Sequence, residues 1–145
     1  MSKFLETFDE ILEERGLSLT ELSKISNINI STLLNYPRSN PTIITALKIV
    51  DYLHSSLDYF EQKIDYENCE FDKNYKINFF ENLDKARKQQ KIKVKTLCEE
   101  TGIGESTYYD WKNGKLPRYE NLITIANYLD CSIDELLGRH YVIKR

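Results

Sequence analysis

Few side chains in this 145-residue chain could do chemistry, and those few are scattered. The two histidines, His54 and His140, fall at the end of a helical pattern and in the C-terminal stretch. Of the three cysteines, Cys98 and Cys131 sit at core-type helix positions and Cys69 sits in a connecting stretch, so all three read as small buried or incidental thiols. No nucleophile–base pair, glycine-rich phosphate loop or metal-spaced Cys/His cluster emerges. An enzyme is therefore not expected, and neither a metal nor a cofactor is implied. What remains is charge. Residues 1–75 carry 7 Lys/Arg against 13 Asp/Glu, a net of −6, whereas residues 76–145 carry 13 against 10, a net of +3. Polyanion binding belongs to the second half, and the first half would repel a phosphate backbone at long range.

The elements that must position this charge come in two copies. A 57-residue pattern at Phe4–Phe60 returns at Phe79–Leu136, offset by 75 up to a loop and by 76 after it. Identical pairs include Phe4/Phe79, Asp9/Asp84, Leu22/Leu97, Ile28/Ile103, Pro41/Pro117, Leu53/Leu129, Ser56/Ser132 and Asp58/Asp134. The matched positions are mainly apolar core candidates and caps, while the solvent-facing ones differ, which reads as a shared fold with separated surfaces. In the first copy, Phe4, Leu5, Phe8, Ile11 and Leu12 recur at helical spacing and Gly16 follows as a cap. Ser18-x-x-Glu21 opens a second helix, Asn29 a third over Ile30–Tyr36, and Pro37 ends it. A fourth helix spans roughly Ile43–His54 with Ile44, Leu47, Val50 and Leu53 inward, and Ser56 caps a fifth. Residues 63–77 are polar, acidic and aperiodic, a connector. The second copy reads as helices Asn78–Gln90, Val94–Thr101, Glu105–Lys112 and Tyr119–Leu129, then a Ser132-capped helix stopped by Gly138. The short helix, three-residue turn and short helix over Val94–Lys112 form a helix-turn-helix unit, which presents one helix to a duplex groove.

The second copy resembles the phage-repressor, Cro-like (Xre-type) helix-turn-helix family over essentially its whole length. The likeness is carried by Ala86-Arg87, Leu97, Gly102-Ile103-Gly104, Ser106-Thr107-Tyr108 and Trp111-Lys112-Asn113-Gly114-Lys115, and then by Pro117, Asn121-Leu122, Ile125-Ala126, Leu129 and Ser132–Leu137. The first copy matches the same scaffold with weaker motifs, having Tyr36-Pro37-Arg38 where the second has Trp111–Gly114. The resemblance implies an all-α protein of two tandem five-helix lambda-repressor-like domains. Their expected bounds are 1–62 and 78–138, with a linker at 63–77 and a basic tail at 139–145.

The resemblance also implies roles in binding double-stranded DNA. Glu105 and Ser106, beside Thr107, would meet base edges from the recognition helix, with Tyr109 and Asp110 on the same face one turn later. Tyr108 and Trp111 would point into the core. Lys93 and Lys95 would clamp phosphate at the second helix, and Lys112, Asn113, Lys115 and Arg118 would follow the backbone. Lys85, Lys88 and Lys91 either thicken the positive face or form a solvated helix surface. Two departures stand out. Glu105 and Asp110 are acceptors where relatives often carry donors, which suits cytosine N4 but weakens attraction to phosphate. Lys112 replaces a glutamate that pairs with the Arg87 position in many relatives, leaving Glu81, Asp84 or Asp110 as substitute partners.

At the first copy's equivalent positions stand Ile30, Ser31, Leu34, Asn35 and Arg38, a surface for a homodimer or partner protein, or for a weaker second DNA contact. The expected function is a sequence-specific transcriptional regulator, repressor-like and of phage or mobile-element type. The competing expectation is a protein-interaction module, antitoxin- or antirepressor-like, on the same scaffold. No membrane span or signal-type N-terminus is evident, and odd cysteine usage fits a reducing cytoplasm.

Overall fold

The computed structural model describes residues 3–26, 28 and 40–144. They divide between two compact units, Met1–Glu70 with Tyr141–Arg145, and Phe71–His140, so the first unit is discontinuous in sequence.

In the first unit, α1 (Phe4–Arg15) buries Phe4, Phe8, Ile11 and Leu12, the face that the apolar spacing predicts. It stops at Gly16, whose φ of 63° is left-handed, and the Leu17 N–H donates to the Leu12 carbonyl at 2.9 Å, closing a Schellman turn. α2 (Leu19–Ser26) starts on Ser18, whose Oγ accepts from the Glu21 N–H at 3.1 Å. α3 (Ile43–Tyr52) is capped by Thr42 and α4 (Leu57–Phe60) by Ser56, each hydroxyl accepting from the N–H three residues on. Phe4 and Phe60 pack with ring centroids 4.7 Å apart, and the Thr7 hydroxyl donates to the Phe60 carbonyl at 2.8 Å. The helix expected over Ile30–Tyr36, and with it Ile30, Ser31, Leu34, Asn35 and Arg38, lies outside the described residues.

Two expected core positions are wrong: Cys131 is half-buried and lies between the helices Tyr119–Leu129 and Ile133–Leu136 rather than on one, and Ile44 faces solvent. Ile44 is 43% exposed, and α3 instead buries Ile43, Ala46, Leu47, Ile49 and Val50. Steps of three fall short of the 3.6-residue turn, so counting back from Leu47 rotates Ile44 off the buried face. The all-helical expectation also misses a two-stranded sheet: β1 (Cys69–Phe71) in the connector pairs with β2 (Tyr141–Ile143). β2 belongs to the first unit, where the Tyr141 hydroxyl donates to the Asp58 carboxylate at 2.8 Å and the Lys144 N–H to the Asn68 carbonyl at 3.0 Å.

The second unit runs α5 (Phe79–Gln89), α6 (Val94–Thr101), α7 (Glu105–Lys112), α8 (Tyr119–Leu129) and α9 (Ile133–Leu136). Its core gathers Phe79, Leu83, Leu97, Tyr108, Trp111, Leu122, Ile125, Leu129 and Leu136. Asp84 on α5 accepts from Arg87 at 2.6 Å and Lys88 at 2.9 Å, so it is the substitute partner for Arg87. Arg87 also donates to the Ile92 carbonyl at 2.7 Å, while the buried Tyr108 hydroxyl makes no hydrogen bond. α9 is capped by Ser132 and followed by Gly138, whose φ is 86°. Arg139, read as the start of a basic tail, is instead wholly buried: it pairs with buried Asp134 at 2.9 Å and lies 4.0 Å over the Phe71 ring.

Positions that the repeat aligns turn the chain alike. Gly16 and Lys91 (φ 63° and 58°), His54 and Asp130 (54° and 53°), and Gln62 and Gly138 (60° and 86°) are all left-handed. Aligned donors also reach aligned acceptors: Arg15 donates to the Leu53 carbonyl at 2.8 Å, and Gln90 to the Leu129 carbonyl at 2.6 Å.

Three stability predictions arise here. A Cβ at Gly138 would lie 2.3 Å from Asn78 Oδ1 and 2.6 Å from the Lys76 carbonyl, whereas one at Gly114 meets nothing within 4 Å. Gly138→Ala is therefore expected to cost about 2–4 kcal/mol in a urea melt, and Gly114→Ala only the left-handed backbone strain of about 1–2 kcal/mol. Tyr141→Phe removes a donor from a buried carboxylate and should cost about 1.5–3 kcal/mol by the same measurement. Hydrogen bonds from Lys88 and then Arg87 hold the Asp84 carboxyl below its ordinary pKa. Its contribution is thus complete above the unfolded value of about 3.9 and is lost as pH falls through the lower folded value. The stability gap between the native chain and Asp84→Asn should shrink in that acid range, read by melts from pH 6 downward; a pH-independent gap would contradict the assignment.

Candidate nucleic-acid interface

The arrangement begins at the start of α6. Lys93 takes the N-cap position with extended backbone and makes no side-chain cap, so the first-turn N–H groups of α6 have no intrahelical acceptor, and Lys93 and Lys95 stand exposed beside them. At the other end Gly102 adopts φ 76°, and its N–H donates to the Cys98 carbonyl at 3.0 Å. Thr101 fastens the last turn by donating to the Leu97 carbonyl at 2.7 Å. Ile103 is buried as the wedge of the turn, and Gly104 then caps α7. Two short helices are thereby held at a fixed turn by one left-handed glycine and one buried isoleucine.

α7 sorts its side chains by face. Tyr108 and Trp111 are buried, as the resemblance implies, with Phe80 edge-on to Tyr108 at 5.5 Å and Phe79 edge-on to Trp111 at 5.4 Å. Glu105, Ser106, Tyr109, Asp110 and Lys112 are exposed, and Thr107 is half-buried. A helix pinned by two aromatic rings on one side presents its other side at a defined angle.

After α7 the chain folds back on itself. The Asn113 N–H donates to the Tyr109 carbonyl at 3.1 Å, Gly114 turns at φ 101°, and the Lys115 N–H returns to the Asp110 carbonyl at 3.1 Å. This brings Lys115 and Arg118 to one open cleft of about 550 Å³, with Thr107 and Asp110 on its α7 wall. Lys115 also lines a second cleft of about 400 Å³ with Lys112, beside Phe80 and Glu81. Lys93, Lys95, Glu105, Ser106, Tyr109 and Asn113 line neither cleft.

Glu120 and Asn121, in the first turn of α8, complete the larger cleft and were not singled out as site residues from sequence. Their signal was local: both directly follow Arg118 and Tyr119 where α8 begins. Burial first, and then the Glu105 carboxylate, push the Cys98 thiol pKa up. Burial likewise raises the Tyr108 phenol against the opposing pull of Arg87. No helix among the described residues is long and apolar enough to cross a membrane.

Over 60 residues, 41% of its length, the chain is 42% identical to the uncharacterized HTH-type transcriptional regulator YqaE of Bacillus subtilis, of which the match covers 52%. Over 60 residues it is 40% identical to the cryptic phage CTXphi transcriptional repressor RstR of Vibrio cholerae, of which the match covers 54%. The chain thus spans about half the length of these relatives, which are HTH transcriptional regulators. No solved structure matches the chain significantly. Residues 82–140, from α5 to the buried Arg139 and the residue after it, match the family of Cro/C1-type HTH DNA-binding domains.

Proposed function

We propose that the chain is a sequence-specific DNA-binding transcriptional regulator, repressor-like and of phage or mobile-element type, that reads the major groove mainly with α7. The observation that carries this reading is the sorting of α7, with Tyr108 and Trp111 locked in the core while Glu105, Ser106, Tyr109 and Asp110 face outward, inside the stretch that matches the Cro/C1-type domain. Glu105, Ser106, Thr107, Tyr109 and Asp110 would meet base edges. Lys93, Lys95, Lys112, Asn113, Lys115 and Arg118 would hold the phosphates, which fix register without carrying sequence information. Asn121 and the rim of the larger cleft would add to the backbone contacts.

The first unit is proposed as a second copy of the same scaffold, supported by the aligned caps, left-handed turns and carbonyl tethers. Its solvent face is unlike that of the second unit: Glu6, Asp9, Glu10, Glu13 and Glu14 are all exposed along α1. That charge favours a role in pairing with a second chain or a partner protein over contact with phosphate. A small DNA-binding module gains specific affinity by such pairing.

The same carboxylates, with Glu105 and Asp110, favour the second reading, a protein-interaction module on this scaffold. The two readings separate on duplex selected from a randomised pool by the whole chain. Five phosphate-facing cations predict a log–log salt slope of roughly −4 to −5 per bound unit. Lys93→Glu combined with Lys115→Glu should flatten the slope by about 2 and weaken binding at least tenfold. An affinity unchanged between low and moderate salt, or unchanged by this double reversal, would count for the interaction module.

A further inference from the structure

We propose that Tyr109 reads a C5-methyl group of a pyrimidine in the major groove, which makes it a specificity-determining residue of α7. The inference rests on the DNA-reading function proposed above and deepens it. Tyr109 is 45% exposed, and within residues 71–140 no other large hydrophobic side chain stands comparably free. Its exposure is not slack. The ring is edge-on to Tyr108, centroids 5.6 Å apart at 82°, and Tyr108 is in turn fixed by Phe80 at 5.5 Å and Trp111 at 6.2 Å. An aromatic ring held at the surface by a buried aromatic stack is a rigid apolar probe, so little side-chain freedom is lost on contact.

The neighbours of Tyr109 decide what such a probe can touch. Glu105 lies one turn before it, Ser106 three residues before it and Asp110 next to it, all exposed. The two carboxylates accept hydrogen bonds and repel phosphate, which directs this part of α7 toward base amino groups. In the major groove the apolar feature beside such groups is a pyrimidine methyl: thymine's, or that of 5-methylcytosine, where methyl and N4 amino group lie on one ring. The phenolic hydroxyl can donate to a phosphate or a base acceptor, but the ring carbons have only an apolar group to meet, and Tyr109→Phe separates the two. A ring locked edge-on to its neighbour is suited to a methyl group.

The test uses the whole chain and the duplex it enriches from a randomised pool. That duplex is remade with uracil replacing each thymine in turn, and with 5-methylcytosine replacing each cytosine in turn. At one or two positions, loss of the methyl should weaken binding about fourfold, the transfer value of one methyl group. The thymine arm identifies thymine as the source; a comparable gain on methylating one cytosine identifies 5-methylcytosine. Tyr109→Phe should keep the discrimination, and Tyr109→Ala should bind methylated and unmethylated forms alike while still unfolding cooperatively and still binding the duplex. Equal binding of all forms by the native chain, or discrimination that survives Tyr109→Ala or vanishes in Tyr109→Phe, overturns the role of Tyr109 and leaves DNA reading intact. Enrichment of no duplex overturns both.

Discussion

A carboxylate buried at the start of a four-residue helix must be matched, and how each unit matches it determines where the rest of the chain can go. In the second unit the carboxylate is Asp134 on α9, and Arg139 answers it with both side chains withdrawn from water. Such a pair is stabilising only when its hydrogen-bonding capacity is used, and the aromatic face of Phe71 under the guanidinium further occupies the cation. In the first unit the aligned residue is Asp58, and the position aligned with Arg139 is Lys63, whose side chain is exposed. The Lys63 N–H donates to the Asp58 carbonyl at 2.8 Å, as the Arg139 N–H does to the Asp134 carbonyl at 2.9 Å, so the two units keep the same turn. Here the Tyr141 hydroxyl of β2 donates to the Asp58 carboxylate.

Helix identity in this chain was legible because its signals are local. Ser18, Ser56 and Ser132 cap the helices that their spacing predicts, Gly16, Gly102 and Gly138 end turns, and the bounds of α6, α7 and α8 match the expected ones. What failed to read was anything that needs a distant partner. Three-residue strands have no period, so Cys69–Phe71 looked like featureless connector, and Tyr141–Ile143 like tail. Arg139 looked like a surface cation because nothing in its own neighbourhood announces burial. Ile44 failed for a geometric reason, a spacing counted in threes on a helix that turns in 3.6.

The site divides along the same line. That Tyr108 and Trp111 point inward and Glu105, Ser106 and Asp110 outward follows from the resemblance and from helical geometry alone. That Asp84 holds Arg87 required three-dimensional choice among three carboxylates, and proximity on one helix decided it. The result is that Lys112 has no pairing duty toward Arg87 and stays at the surface, while Arg87 is held by Asp84 and the Ile92 carbonyl. A substitution that looks like a lost salt bridge is thus a relocation of charge: the pair moves onto α5, and a cation is left where the exposed end of α7 ends.

The strand β2 has a further consequence, for the order in which the protein is made. Domains ordinarily close one after another as they leave the ribosome, the N-terminal one first. Here one donor to Asp58 and the partner strand for β1 lie beyond residue 140, after the whole of the second unit has been synthesised. The first unit to be translated is therefore the last to be completed. Until then the Tyr141–Asp58 hydrogen bond and the β1–β2 pairing cannot form, although the second unit already has all of its own residues.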